Sequence, residues 1–318
     1  MVQPFKQGRY DELPERPRRP HDYFELPSQR LELESRRFGS HHVYLKKLGS
    51  GPPLLLIHGL MTSSYSWRYV VSALAERFTV YAPDLPGAGR TDMVLNPKDP
   101  DLYSPESLSD WIRELVQALE IEGCAAVGNS LGGYLCMRAV LADPKLFSRL
   151  VNVHSPARPE PRLYALKRAL SIPGSQRVLA RVIRHDPQRW AHKNVHYYDE
   201  SLKSLEEARE YGAPLATEGG VKAFIQYLAR TVDPQGFKEL LARLQLRKDR
   251  NQAFPIPLML LYADRDPMVS PKNGAALKRL LPDARYEVLK DASHFSHVDA
   301  PERTLELLFD FLAEPEAR

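Results

Sequence analysis

The stretch Ala125-Ala126-Val127-Gly128-Asn129-Ser130-Leu131-Gly132-Gly133 decides how this chain is read. A short apolar run ends at Gly128, and residues 131–141 that follow carry the apolar spacing of a helix. A G-x-S-x-G pattern at such a strand-to-helix turn needs glycine on both sides of the serine, so that strand and helix can approach each other. The serine hydroxyl is then pushed out at the end of the strand. The starting helix aims backbone N–H groups at the same spot. Five residues of this kind occur often by chance, and it is the flanking strand and helix that make them informative.

Working outward, alternation in residues 30–35 and 42–46, separated by Phe38-Gly39-Ser40, predicts an antiparallel hairpin. Residues 54–57 are continuously apolar between Pro53 and Gly59, the pattern of a strand buried on both faces. Helical spacing over 66–78, a strand at 79–82, a helix at 108–119 and a strand at 150–153 complete an alternation that predicts parallel strands joined by right-handed crossovers. After Val153 the alternation gives way to helical periodicity, many charges and interrupting prolines until about Asn251. It resumes with a strand at 257–262, a helix at 273–281, a strand at 285–289 and a helix at 301–312 with Asp299 as N-cap and Glu302 as its capping-box partner. The expected organisation is an N-terminal Pro/Arg-rich extension at 1–27, an α/β core at 28–153 and 252–318, and a helical cap at 154–251.

Composition narrows the function classes. The chain has 318 residues, 43% of them hydrophobic, and a formal net charge of +4, enough for one large core and too balanced for a nucleic-acid footprint. Cys124 and Cys136 are the only cysteines and lack metal-binding spacing, which predicts two buried thiols in a reducing compartment. No apolar run near the N-terminus resembles a signal peptide and none approaches a membrane span. The expectation is a cytoplasmic protein, a monomer or homodimer, acting on a small molecule without nucleic acid or membrane as partner. The Arg16–Arg19 region, interleaved with Pro and Glu, reads as a solvated arm.

A serine hydroxyl is a poor nucleophile until a base takes its proton, and that base needs an acid behind it. His294 follows the last expected strand directly and is favoured as the base over its neighbour His297. Asp266, in Tyr262-Ala263-Asp264-Arg265-Asp266-Pro267, is favoured as the acid, with Asp264 holding the loop. The order Ser130, Asp266, His294 suits a sheet whose strand ends converge. In Leu56-Ile57-His58-Gly59-Leu60-Met61, Gly59 permits a turn that aims the Leu60 N–H inward, opposite the Leu131 N–H, as an oxyanion hole. His58 reads as a structural histidine bonded to its loop. No metal or organic cofactor is required.

His58-Gly59 with Thr62-Ser63-Ser64, the Asp84–Asp92 segment, Gly128–Gly133, Asp264–Val269 and Ser293–Asp299 together resemble the α/β-hydrolase superfamily. The resemblance implies an α/β-hydrolase fold with Ser130 as nucleophile, Asp266 as acid, His294 as base and the Leu60 and Leu131 amides as oxyanion donors. Ala263 and Ala88 depart from the pattern at positions that often hold Gly and His, and neither removes a catalytic group. Epoxide hydrolases and haloalkane dehalogenases place Asp at the nucleophile, so Ser130 disfavours both. The expected activity is hydrolysis of a small to medium, uncharged carboxylic ester. Two alternatives stand beside it: a carbon-carbon bond hydrolase acting on a ring-fission diketone, whose members commonly have Trp where this chain has Phe295, and a non-catalytic small-molecule receptor.

Within the cap, Tyr164, Trp190, Tyr197, Tyr198, Phe224 and Tyr227 either line an apolar pocket or pack cap onto core. His154, Trp190 and Tyr227 are the expected substrate contacts, with His154 equally able to hold its loop. Arg184, His185, Arg189 and His192 read as a solvated helix face rather than a carboxylate-binding cluster.

Overall fold

The buried run at 54–57 forms the strand β3 (Pro53–Ile57), and side chains on its two faces serve different cores. In this computed structural model, which describes residues 3–96 and 98–313, eight strands form one sheet: β1 (Ser28–Ser35), β2 (Gly39–Leu48), β3, β4 (Thr79–Pro83), β5 (Cys124–Asn129), β6 (Phe147–Val153), β7 (Leu258–Ala263) and β8 (Arg285–Leu289). Their order is β1-β2-β4-β3-β5-β6-β7-β8. β1 and β2 form the hairpin, with Ser35 opposite Gly39, and β2 pairs antiparallel with β4; every other pairing is parallel.

Helices cover both faces: α1 (Val71–Ala75), α2 (Pro105–Ala118) and α3 (Leu131–Ala142) lie between strands of the first part of the chain, and α10 (Lys272–Leu280), α11 (Ser296–Asp299) and α12 (Pro301–Ala313) belong to the last part. Leu55 and Ile57 point into the cluster that holds Trp111 and Leu115 of α2 and Leu135 of α3. Leu54 and Leu56 point to the other face, against Val70 at the start of α1, Leu74 within it, and Leu308 and Phe311 of α12. Each such aliphatic side chain, fully withdrawn from water, contributes about 1.5–3 kcal/mol. Both cysteines are buried, Cys136 completely.

Between β6 and β7 the described residues form helices and no strand: α4 (Pro161–Leu170), α5 (Ser175–His185), α6 (Pro187–Asn194), α7 (Leu205–Ala216), α8 (Glu218–Gln226) and α9 (Pro234–Asp249), with a π-helical turn at Tyr227–Thr231. Three of the seven prolines that interrupt the periodicity start helices. Pro161, Pro187 and Pro234 occupy the first turn, where a missing N–H costs nothing, and Asp186 and Asp233 cap the latter two.

Three expectations are corrected. Residues 66–78 are not one helix: a 3-10 turn at Ser64–Trp67 precedes the short α1, because the Asp84 carboxylate accepts the Ser64 N–H at 2.7 Å and the Ser63 hydroxyl accepts that of Tyr65. Asp299 does not cap α12; it closes α11, and its carboxylate accepts from Ser293 N, Ser293 Oγ and Tyr198 N, while Glu302 pairs with Arg19. The Arg16–Arg19 stretch is exposed or half-exposed, but the N-terminal extension that carries it is not free of the body. It runs along α6 and α7, where Leu205 N donates to Pro14 O and Glu206 N to Glu15 O, and where Arg189 and Arg209 pair with Asp11 and Glu15.

Candidate active site

The parallel strands end on one edge of the sheet, and the loops there are conformationally tight. Of the seven non-glycine residues with positive φ among the described residues, Met61, Ser130, His154 and Asp291 follow β3, β5, β6 and β8. Ser130 has φ 53° and ψ −117°, a region that costs on the order of 1–3 kcal/mol unless the surroundings hold it. Its N–H donates to Val153 O at 2.7 Å and its carbonyl accepts from Ser155 Oγ and Tyr134 N. The glycines around it are required by space: a Cβ on Gly128 would fall 2.5 Å from Gly133 N, and one on Gly132 would fall 2.3 Å from Ile57 O.

His294 reaches this edge from the loop after β8. Its Nδ1 lies 2.7 Å from Asp266 Oδ2, while Asp266 Oδ1 accepts the N–H groups of Met268 and Val269 at 2.7 and 2.8 Å. Burial alone would raise the Asp266 pKa; the charge and hydrogen bond of His294, with the Val269 N–H, outweigh it and hold the carboxyl below its ordinary value. A carboxylate kept ionised against Nδ1 fixes that nitrogen as the protonated one and leaves Nε2 to accept a proton.

The competing residues lie elsewhere. His297 is fully buried with its ring 4.4 Å from that of Trp67 and neither nitrogen bonded among the described residues. Burial keeps it neutral, with its pKa well below the usual histidine value. Asp264 accepts the Asp291 N–H and stays near Lys290, which ties together the loops carrying Asp266 and His294. His58 is locked as a neutral tautomer: Leu85 N donates to its Nε2 at 2.9 Å, so Nδ1 donates to Gly59 O at 2.7 Å.

Ser130 and His294 open onto one cavity of about 730 Å³ at the junction of the sheet edge and the inserted helices. Its walls are mainly apolar, with Leu60 and Leu131 beside the serine and Leu163, Phe224, Leu228 and Phe237 opposite. The N–H groups of Leu60 and Leu131 have no internal acceptor among the described residues. Trp190 lines the cavity. Tyr227 does not: its ring packs on Tyr103, its hydroxyl donates to Pro86 O at 2.9 Å, and it borders a small adjoining recess with His58 and Leu85 that shares Leu60 and Leu131 with the cavity. His154 does not line it either. It is fully buried behind the Asp266–His294 pair, with Nδ1 3.6 Å from Asp266 Oδ2 and Nε2 3.0 Å from Ser296 Oγ. Burial pushes its pKa down to about 3 against the pull of Asp266, so it is neutral. Arg189 and His192 are held by the N-terminal arm through Asp11 and Gly8 O, whereas Arg184 and His185 are exposed, so these four form no common site.

Two contributors were not legible beforehand. Asn129 Nδ2 donates to His294 O at 3.2 Å, linking the serine turn to the histidine loop; its place inside the motif was the available signal. Phe5, from the arm, lines the cavity and packs edge-on against Tyr198; nothing in its local sequence marks it. Among the described residues no group of three or more His, Cys, Asp or Glu side chains is arranged to hold a metal ion.

Residues 52–301 match the family described as alpha/beta hydrolase fold. A pimeloyl-[acyl-carrier protein] methyl ester esterase of Aeromonas hydrophila is 28% identical over 280 residues, covering 85% of this chain and 99% of that one. An sn-1-specific diacylglycerol lipase, ABHD11, of Xenopus laevis is 26% identical over 281 residues, covering 82% and 80%. Among solved structures, a putative alpha/beta hydrolase from Nostoc superposes with a TM-score of 0.74 at 20% identity, covering 91% of this chain and 99% of that one.

Proposed function

This chain belongs to the α/β-hydrolase fold family, and from that premise we propose that it is a serine hydrolase that cleaves a small to medium, uncharged carboxylic ester through an acyl-enzyme. The observation that carries the reading is the meeting of Ser130 and His294 on the wall of one apolar cavity, with a buried, ionised Asp266 directly behind the histidine. The similarity to an esterase and a lipase supports the same reaction class.

In this reading His294 Nε2 takes the Ser130 proton and the alkoxide attacks the ester carbonyl. The Leu60 and Leu131 N–H groups receive the oxyanion, which is why they have no acceptor inside the protein. Asp266 holds the Nδ1 proton and stabilises the imidazolium. The neutral state of His154 matters here, because a second cation 3.6 Å from Asp266 would weaken the carboxylate's hold on His294. Collapse of the tetrahedral intermediate expels the alcohol with the proton from His294; water, deprotonated by the same ring, then releases the acid. The inserted helices act as a cap that supplies the far wall, Trp190 included, and so set acyl and alcohol size. The two unpaired, buried thiols suit a reducing, cytoplasmic setting.

A panel of nitrophenyl esters of graded acyl length, run beside a ring-fission diketone, tests the proposal. The expected result is ester turnover that falls by about 10⁶-fold in Ser130→Ala, with fluorophosphonate labelling of Ser130. Near-wild-type hydrolysis by that variant overturns it. Preferential cleavage of the diketone moves the protein to carbon-carbon hydrolysis.

A further inference from the structure

The hairpin of α4 and α5 carries a surface that this reaction does not use. Residues 161–185 contain Arg162, Lys167, Arg168, Arg177, Arg181 and Arg184 and no Asp or Glu. The acids that border the hairpin are already engaged: Glu160 with Arg162 at 2.8 Å, Asp233 with Lys167 at 2.7 Å and Asp186 with Arg189 at 2.9 Å. Arg168, Arg177 and Arg181 make no ion pair among the described residues.

Apolar side chains project between these cations. Ile172, Val178 and Val182, at 59, 58 and 56% exposure, are the most exposed large apolar residues among those described. They are not the inner face of a helix left uncovered. α5 already packs Leu179, Ala180 and Ile183 against Leu215, Val221 and Phe224, so Val178 and Val182, one turn apart, are a second apolar row on the outside. A surface helix of a globular protein ordinarily keeps that face polar. Cations without acids, interleaved with outward aliphatics, are the composition of a helix that lies in a membrane interface. The same hairpin borders the cavity, because Leu163 and Leu166 of α4 form part of its wall.

We propose that the α4–α5 hairpin docks the protein on an anionic lipid surface. Ile172, Val178 and Val182 enter the boundary between headgroups and acyl chains, Arg168, Arg177 and Arg181 meet lipid phosphates, and the cavity is brought to lipid-borne esters. Arg168, Arg177 and Arg181 stand exposed on the outer helix surface, so they match a laterally uniform surface better than one shaped partner. No helix of the described residues is long and apolar enough to cross a membrane; the attachment is peripheral and reversible. Only the substrate part rests on the hydrolase reading.

The test is co-sedimentation of the full chain with phosphatidylcholine vesicles, with and without about one third phosphatidylglycerol, at about 0.1 and about 0.5 M salt. The expected result is binding to the anionic vesicles at low salt that weakens about tenfold or more on neutral vesicles or at high salt. Val178→Asp with Val182→Asp, and separately Arg168→Glu with Arg177→Glu and Arg181→Glu, each reduce it about tenfold while hydrolysis of a water-soluble nitrophenyl ester is unchanged. Equal sedimentation with neutral vesicles, wild-type binding by either variant, or no vesicle binding at all overturns the proposal; capture of an acidic protein in place of vesicles overturns it in favour of a protein partner. Vesicle binding that persists while Ser130→Ala keeps full ester hydrolysis leaves docking standing and removes the hydrolase reading.

Discussion

Two of the buried charged sets among the described residues differ in one respect: one faces a cavity and the other does not. At the sheet edge Asp266 holds His294, with neutral His154 behind. Where the inserted helices meet the core, Arg68 pairs with Glu207 of α7 at 2.6 Å, Tyr197 donates to the same carboxylate at 2.5 Å, and the guanidinium lies 4.5 Å from the rings of both Tyr65 and Tyr69. Both carboxylates are almost fully withdrawn from water. The Arg68 set lines neither the cavity nor the recess beside it, whereas the Asp266 set ends in an imidazole on a cavity wall. Burial of charge therefore does not by itself mark a site of chemistry. An open atom at the end of the network does.

Substitutions that remove one partner from each set should separate the two roles. Asp266→Asn keeps the shape but favours the wrong imidazole tautomer, and kcat should fall about 10⁴-fold with the melting temperature little changed. Steady-state kinetics with a nitrophenyl ester beside a thermal melt checks this; a fall under tenfold would break the comparison from one side. Glu207→Gln leaves a buried guanidinium without its counter-ion and should cost about 3–5 kcal/mol of stability in urea unfolding, with turnover below the melting range within about threefold of wild type. Arg68→Met combined with Glu207→Leu should recover most of that loss, since replacing a buried pair by apolar groups is often neutral. If Glu207→Gln abolishes turnover in a folded protein, the Arg68 set is not merely structural.

The sheet and the Ser130, Asp266 and His294 positions were legible for the same reason. Buried parallel strands read as short aliphatic runs between Pro or Gly, as at 54–57, and each candidate group falls just past such a run. What escaped the sequence depends on contacts between distant residues. Nothing in the local sequence of Arg68 points to Glu207, which lies far along the chain and is folded onto it. Asp299 has the spacing of a cap, yet Ser293 and Tyr198 offer its carboxylate three donors and win it. His154 stands at a strand end as a cavity residue would, and its positive φ turns it under the site instead. The N-terminal arm has no periodicity to read, because backbone bonds at Pro14 and Glu15 and single ion pairs hold it.

The site end should also carry a pH dependence of its own through His154. The His154 pKa drops from 6.5 unfolded to about 3 folded, so its contribution is present above pH 6.5 and is lost as pH falls towards 3, where the unfolded chain takes up the proton first. Between pH 7 and pH 5 this amounts to about 2 kcal/mol, and His154→Phe should flatten the pH dependence of urea unfolding by about that much. His58 and His297, also held neutral by burial, keep the remaining slope. An unchanged slope in the variant would mean that His154 is not held neutral.

The smallest expected effect tests whether the cavity end extends to the arm. Phe5 reaches the cavity wall with a positive φ, its N–H donating to Tyr198 O at 3.1 Å and its ring set edge-on to that of Tyr198. Tyr198 is in turn fixed by Asp291 and Asp299, from the same loop region that carries His294. A ring placed there limits how far an acyl chain can extend, whereas a ring that only clamps the arm would affect all substrates alike. Phe5→Ala should therefore raise KM for the longest esters of a graded series by about threefold, or about 0.7 kcal/mol, below the roughly 1–3 kcal/mol that a full methylene contact in a closed pocket can discriminate, with the effect shrinking as the acyl chain shortens. A uniform change across the series would assign Phe5 to holding the arm and would end the cavity at the inserted helices.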